Sequence, residues 1–214
     1  MHVMKFRIAA ALLAASPAMA QDRPPLAPTR DVTIDYVLDA LPPGPVPIKP
    51  GARARVQVQA GGAHLRVEPP DLPGYLLLDR PAGQLKMVMS QQRVVLNLPI
   101  DSARLRMLTL TDRMTFTRTG TDRVAGLRCT QWSIQDGART STACITEDGV
   151  ILRAATTESG QPAAAHATAV TYAPLPQTLF APPPGSQILA LPPGLTLPPG
   201  LTLPPGLTLP LPRK

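Results

Sequence analysis

Few residues in this chain could do chemistry, and they sit close together. Cys129 and Cys144 are the only cysteines, and Trp132 is the only tryptophan. All three lie between Gly120 and Arg153, a stretch that also holds the turn pairs Asp136-Gly137 and Asp148-Gly149. Two cysteines match one disulfide, and once paired they leave no thiolate for nucleophilic or metal chemistry. His64 and His166 are the histidines beyond the N-terminal leader, and neither belongs to a metal-binding spacing. No G-x-S-x-G elbow is present, and the isolated glycines Gly61, Gly62 and Gly74 do not make a phosphate loop. Asp71, Asp101 and Asp112 are carboxylates near loops, as any soluble sheet protein has. These residues name no catalytic set, no metal and no cofactor, and the chain is read as non-enzymatic.

Asp-Gly between alternating runs predicts a hairpin, since a type I′ turn needs positive φ at both central residues. With Asp136-Gly137 at the tip, residues whose numbers sum to 273 face each other. Cys129 then lies opposite Cys144, within the Cα range that a disulfide needs. A small change in loop geometry would move the pair to a diagonal. The second turn, Asp148-Gly149, sets Ile145 opposite Leu152 and Ala143 opposite Ala154. One face of the resulting meander carries Trp132, Ile134, Ile145, Val150 and Leu152, and this face is expected inside. The disulfide is expected on the outer side or at an edge. Trp132 suits either a core position or the wall of a ligand site.

Elsewhere, short alternating runs recur at roughly ten-residue spacing, the pattern of an all-β antiparallel fold. Strands are predicted at 31–38, 53–59, 63–68, 75–79, 85–90, 93–98, 113–118 and 167–172, with 160–164 as loop. Met87 and Met89 share a face with Leu85, as core filler or as an adaptable apolar surface. Residues 101–110 suit a helix of about two turns, with Leu105 and Leu108 on its apolar side. Leu41 to Gly51 holds five prolines and is a loop.

The ends differ from the middle. Residues 1–20 have the form of a secretory signal, with Lys5 and Arg7 before an apolar run and Ala18-Met19-Ala20 as cleavage site. Cleavage after Ala20 leaves Gln21 first, with no cysteine there for lipid attachment. The expected product is soluble and periplasmic or secreted, where a disulfide persists. Its Lys and Arg fall from 21 to 19 while Asp and Glu stay at 14, a net charge of about +5. The arginines are scattered and six aromatics remain, a composition that argues against nucleic-acid binding. Residues 21–30 read as a flexible leader, 31–185 as the β domain and 186–214 as a tail. Leu-Pro-Pro-Gly-Leu-Thr repeats at 191–196, 197–202 and 203–208, and proline at two of six positions predicts a polyproline-like tail without helix or sheet.

Three segments carry a resemblance: F-T-R-T-G-T-D-R-V-A-G-L-R-C-T-Q-W at 116–132, T-A-C-I-T-E-D-G-V-I-L-R at 142–153, and more weakly Y-L-L-L-D-R-P-A-G at 75–83. Together they resemble a family of small exported Gram-negative proteins of uncharacterised function, over residues 31–185. Such domains are similar in strand order to the LolA-like lipoprotein-carrier superfamily. That similarity implies a curved antiparallel sheet, an incomplete barrel with helices plugging its concave side, and acyl-chain binding in the concavity. The ligand-wall candidates are Trp132, Ile134, Ile145, Leu152, Met87 and Met89, and the expected partner is a lipid or other apolar ligand. The alternative is an envelope structural module that docks a protein partner through the proline-rich tail.

Overall fold

The computed structural model describes residues 23–40, 49–70, 73–98, 109–158 and 160–190. The predicted signal and cleavage site, the 101–110 helix up to residue 108, and the repeats lie outside these residues. Among the described residues, twelve strands form one open sheet: β1 (Val32–Ala40), β2 (Ala52–Val58), β3 (His64–Glu68), β4 (Tyr75–Asp79), β5 (Gln84–Met89), β6 (Val94–Leu98), β7 (Thr115–Val124), β8 (Leu127–Asp136), β9 (Arg139–Ile145), β10 (Ile151–Glu158), β11 (Gln161–Tyr172) and β12 (Gln187–Ala190). The only helical pieces among the described residues are 3-10 turns at Ala60–Gly62 and Gln177–Phe180.

The spatial order is β12-β6-β5-β4-β3-β2-β1-β11-β10-β9-β8-β7. Two meanders, β1–β6 and β7–β11, therefore join where β1 pairs antiparallel with β11. β6 and β7, consecutive strands in the chain, thus lie on opposite sides of the β1–β11 junction. Alternation decides which side chains face in. On β1 and β2, Ile34 pairs with Val56 and Val32 with Val58, all turned to the concave face, and Asp35 pairs with Arg55 on the other side. There Arg55 Nε donates to Asp35 at 2.7 Å. The same inward set continues through Leu65↔Leu78 and Leu78↔Leu85.

The two central turns differ from the expectation, for a backbone reason. Gly137 has φ +60° and Asp136 is not in the left-handed region, so glycine takes the first loop position, with Asp136 and Arg139 closing the hairpin. Facing residues then sum to 275, and Gln131, not Cys129, lies opposite Cys144. The cysteines are diagonal neighbours and still bond, with Cα atoms 5.4 Å apart. The second turn is a three-residue loop, 147–149, in which Thr146 N–H donates to the Val150 carbonyl. Ile145 consequently faces Ile151, and a bulge at Leu152 restores the expected Ala143↔Ala154 pairing.

That bulge also turns Leu152 away from Trp132. Leu152 is fully buried with Val32, Ile34, Val150 and both cysteines, so the disulfide belongs to a core cluster and not to the outer side. Three further expectations change. Residues 161–164 are strand, because Pro162 lies past Ala40↔Ala164, the last pair between β1 and β11, where no neighbour needs its missing N–H. The sheet continues into the predicted tail, since β12 pairs parallel with β6 from Gln187↔Val94 to Ala190↔Asn97. Residues 23–30 are not a loose leader: Thr29 N–H donates to the Asp148 carbonyl at 2.9 Å and Gly61 N–H to the Pro28 carbonyl at 2.7 Å.

Candidate functional site

The inward residues of β1 to β5 do not fill the space they face. Ile34, Tyr36, Val56, Leu65, Leu76 and Leu78 line a cavity of about 400 Å³. Its far wall is Gly149 from the β9–β10 turn and Ile151 at the start of β10, together with Leu110. Aliphatic strand positions that alternate inward produce this lining directly. The polar groups at its edge are Tyr36 and Arg80. The Tyr36 hydroxyl donates to the Ile151 carbonyl, and burial pushes the phenol's pKa up. Arg80 is half-buried, which lowers its pKa, and its Nε–H finds no acceptor among the described residues.

A strap made by residues 26–28 roofs this cavity, with Leu26, Ala27 and Pro28 in its lining. Two glycine turns clamp the strap. A Cβ on Gly62 would meet Ala27 Cβ at 2.8 Å, and a Cβ on Gly149 would meet the Ala27 carbonyl oxygen at 2.3 Å. Arg30 closes the clamp, its Nε donating to Asp148 at 3.0 Å and its guanidinium lying 3.8 Å over the Tyr172 ring. Burial works to raise the Asp148 carboxyl, but bonds from Thr146, Arg30 and Tyr172 outweigh it and hold the group below the usual carboxylate range.

A second apolar cavity, of about 460 Å³, lies alongside, under β8–β11. Ile134, Ala143, Ala154 and Met114 line it, and it shares Leu110 and Ile151 with the first. The small side chains of β9 to β11 leave this room. Beyond it along β8, Trp132 and Ile145 border a third space of about 720 Å³ that is lined by arginines.

The predicted wall residues are therefore divided. Trp132, Ile134 and Ile145 form one buried cluster with Ala143, and the Phe116 ring meets Trp132 edge-on at 6.3 Å between centroids. Leu152 lies in the disulfide cluster. Met87 and Met89 pack with Val94 and Leu96 at the other end of the sheet and line neither apolar cavity. The strap and Arg80 went unforeseen in the sequence. Among the described residues no group of three or more His, Cys, Asp or Glu could hold a metal ion. His64 meets Gln59 at 2.6 Å and His166 meets Asp39 at 2.9 Å.

Comparison with solved structures places the fold. The chain is similar to an uncharacterized conserved protein from Thermus thermophilus, at 12% identity and a TM-score of 0.51, covering 76% of this chain and 91% of that one. The MucA/MucB complex structure of Pseudomonas aeruginosa matches at 16% identity and a TM-score of 0.46, over 77% of this chain and 62% of that chain. A DUF1329 family protein from Desulfovibrio piger matches at 10% identity and a TM-score of 0.38, over 72% of this chain and 90% of that one. No curated protein sequence matches. The curved, open antiparallel sheet implied by the resemblance to lipoprotein carriers is the fold found. Residues 74–171 match the family described as a domain of unknown function, DUF4412.

Proposed function

We propose that this chain is an exported, non-enzymatic binding module that holds a lipid or another apolar ligand on the concave face of its sheet. The observation that carries the reading is the apolar cavity under the strap, continued by the second cavity through Leu110 and Ile151. Cores close-pack to densities that leave few voids larger than a water molecule. Two adjoining apolar spaces of several hundred Å³ suit an acyl chain or a comparable ligand, which binding sites of this size accommodate. Native mass spectrometry of protein purified without detergent, followed by solvent extraction, tests the reading. A bound apolar species lost on extraction is the expected result. Ligand-free protein that takes up no added fatty acid would overturn it.

A second reading has one observation in its favour. β12 anchors the chain to the sheet edge just before the proline repeats begin. On this reading the repeats dock an envelope protein partner. Deleting 191–214 should then abolish partner capture while leaving folding intact.

A further inference from the structure

The space beside Trp132 differs in kind from the two apolar cavities. Three arginines, Arg23, Arg118 and Arg128, line it with Trp132 and Ile145, and Glu147 is the one carboxylate among the described residues of the lining. Arg30, Arg55, Arg66 and Arg153 each bind a carboxylate at 2.6–3.0 Å. The side chains of Arg23, Arg118 and Arg128 make no ion pair or hydrogen bond among the described residues. Arg118 instead stands 5.4 Å over the Trp132 ring, an attraction that holds a cation in place without neutralising it. Three guanidiniums against one carboxylate leave the space positively charged.

This basic space and the second apolar cavity follow one another along β8. Trp132 lines one and Ile134 lines the other, and the two residues are on the same face of β8, ~7 Å apart along the strand. Arginine forks match the two oxygens of a phosphate or carboxylate better than an ammonium does.

We propose that the Arg23–Arg118–Arg128 space is an anion subsite that takes a phosphate or carboxylate group, with the chain of the same amphiphile in the neighbouring apolar cavity. The inference rests on the binding reading above and adds the charge and the place of the headgroup. An anion entering here relieves the mutual repulsion of the arginines, and its attached chain needs to pass only from Trp132 to Ile134. A neutral amphiphile of the same length gains the second effect without the first.

Trp132, as the sole tryptophan, reports directly on this space. The experiment titrates the full mature chain with dodecyl phosphate, dodecyl maltoside and inorganic phosphate below micellar concentrations, following Trp132 fluorescence. It compares the wild type with an Arg118→Gln/Arg128→Gln variant, both positions being exposed, and checks its fold by circular dichroism. Dodecyl phosphate should bind at least about tenfold more tightly than dodecyl maltoside, a difference worth about 1.4 kcal/mol. The double variant and high salt should each erase that preference while maltoside binding persists. Inorganic phosphate that binds saturably, and only to the wild type, would support the subsite and identify a free anion as its source. Equal affinities in the wild type, or a preference that survives the double substitution, would overturn the subsite while leaving apolar binding standing. Failure of both amphiphiles to bind either protein would overturn the binding reading itself.

Discussion

Gly149 and Ala27 touch through backbone alone: a Cβ built on the glycine would lie 2.3 Å from the alanine carbonyl oxygen. Gly149 also has φ +89°, where L side chains are strained. The contact joins the β9–β10 turn to the strap that roofs the apolar cavity. Gly149→Ala should therefore cost about 2–3 kcal/mol, combining backbone strain with displacement of the strap. Gly160→Ala is the control, with φ +79° and open space around it, and should cost only about 1 kcal/mol. Urea denaturation of both variants checks the difference. Equal losses would mean that the strap contact adds nothing.

The Cys129–Cys144 bridge closes 15 residues and is buried in the main core cluster. On the chain-entropy account a loop of that length is worth about 3 kcal/mol. Cys129→Ser should lower the melting temperature by several degrees, and reductant should lower that of the wild type similarly. Identical melting curves with and without reductant would show that the bond does not stabilise the fold.

Asp148 links Arg30, Thr146 and Tyr172, and its carboxyl is held below its ordinary value. A depressed folded-state value stabilises the fold at pH above the unfolded value of about 4, and that contribution is lost as pH falls through the lower folded value. Asp31, bonded by the Leu175 and Ala60 amides, and Asp122, bonded by the Arg123 amide and Arg153, are lowered in the same way. Stability should decline below about pH 4, with the strap among the first parts to loosen. Asp148→Asn should be less stable at pH 7 and lose less on acidification than the wild type. Denaturant midpoints from pH 7 to pH 3 measure both, and parallel pH curves would contradict the assignment.

The β7–β8 turn places Ala125 at φ +49° beside Gly126 at +77°. An Asn-Gly pair suits two successive positive φ values better than Ala-Gly does. Ala125→Asn should raise stability by about 0.5–1 kcal/mol, read from the same denaturation curves. A loss of stability would show that the half-buried methyl of Ala125 matters more than its backbone.

Much of the sheet was legible because alternation alone decides which side chains face in. Ile34, which alternates with Val32 and Tyr36, and Val56, which alternates with Ala54 and Val58, share their strands' apolar faces by spacing alone. What the spacing could not settle was which residue of Asp136-Gly137-Ala138 opens the turn, and a one-position shift there moved Cys129 off Cys144. Bulges were equally hidden: nothing in Ile151-Leu152-Arg153 signals that Leu152 is the extra residue, yet that decided which cluster it joined. Residues 23–30 read as a leader because proline excludes regular structure, but proline does not prevent a segment from packing. Trp132 was found as a candidate, while Arg23, Arg118 and Arg128 looked scattered because they converge only when residues 23–25 lie beside β7 and β8.

The most direct test of the account is a fatty-acid titration of the wild type against Leu76→Phe, which fills the cavity from β4. The wild type should bind saturably and the variant at least about tenfold more weakly, about 1.4 kcal/mol, with the fold unchanged. Equal affinities for the two proteins, or no saturable binding by the wild type, would contradict it.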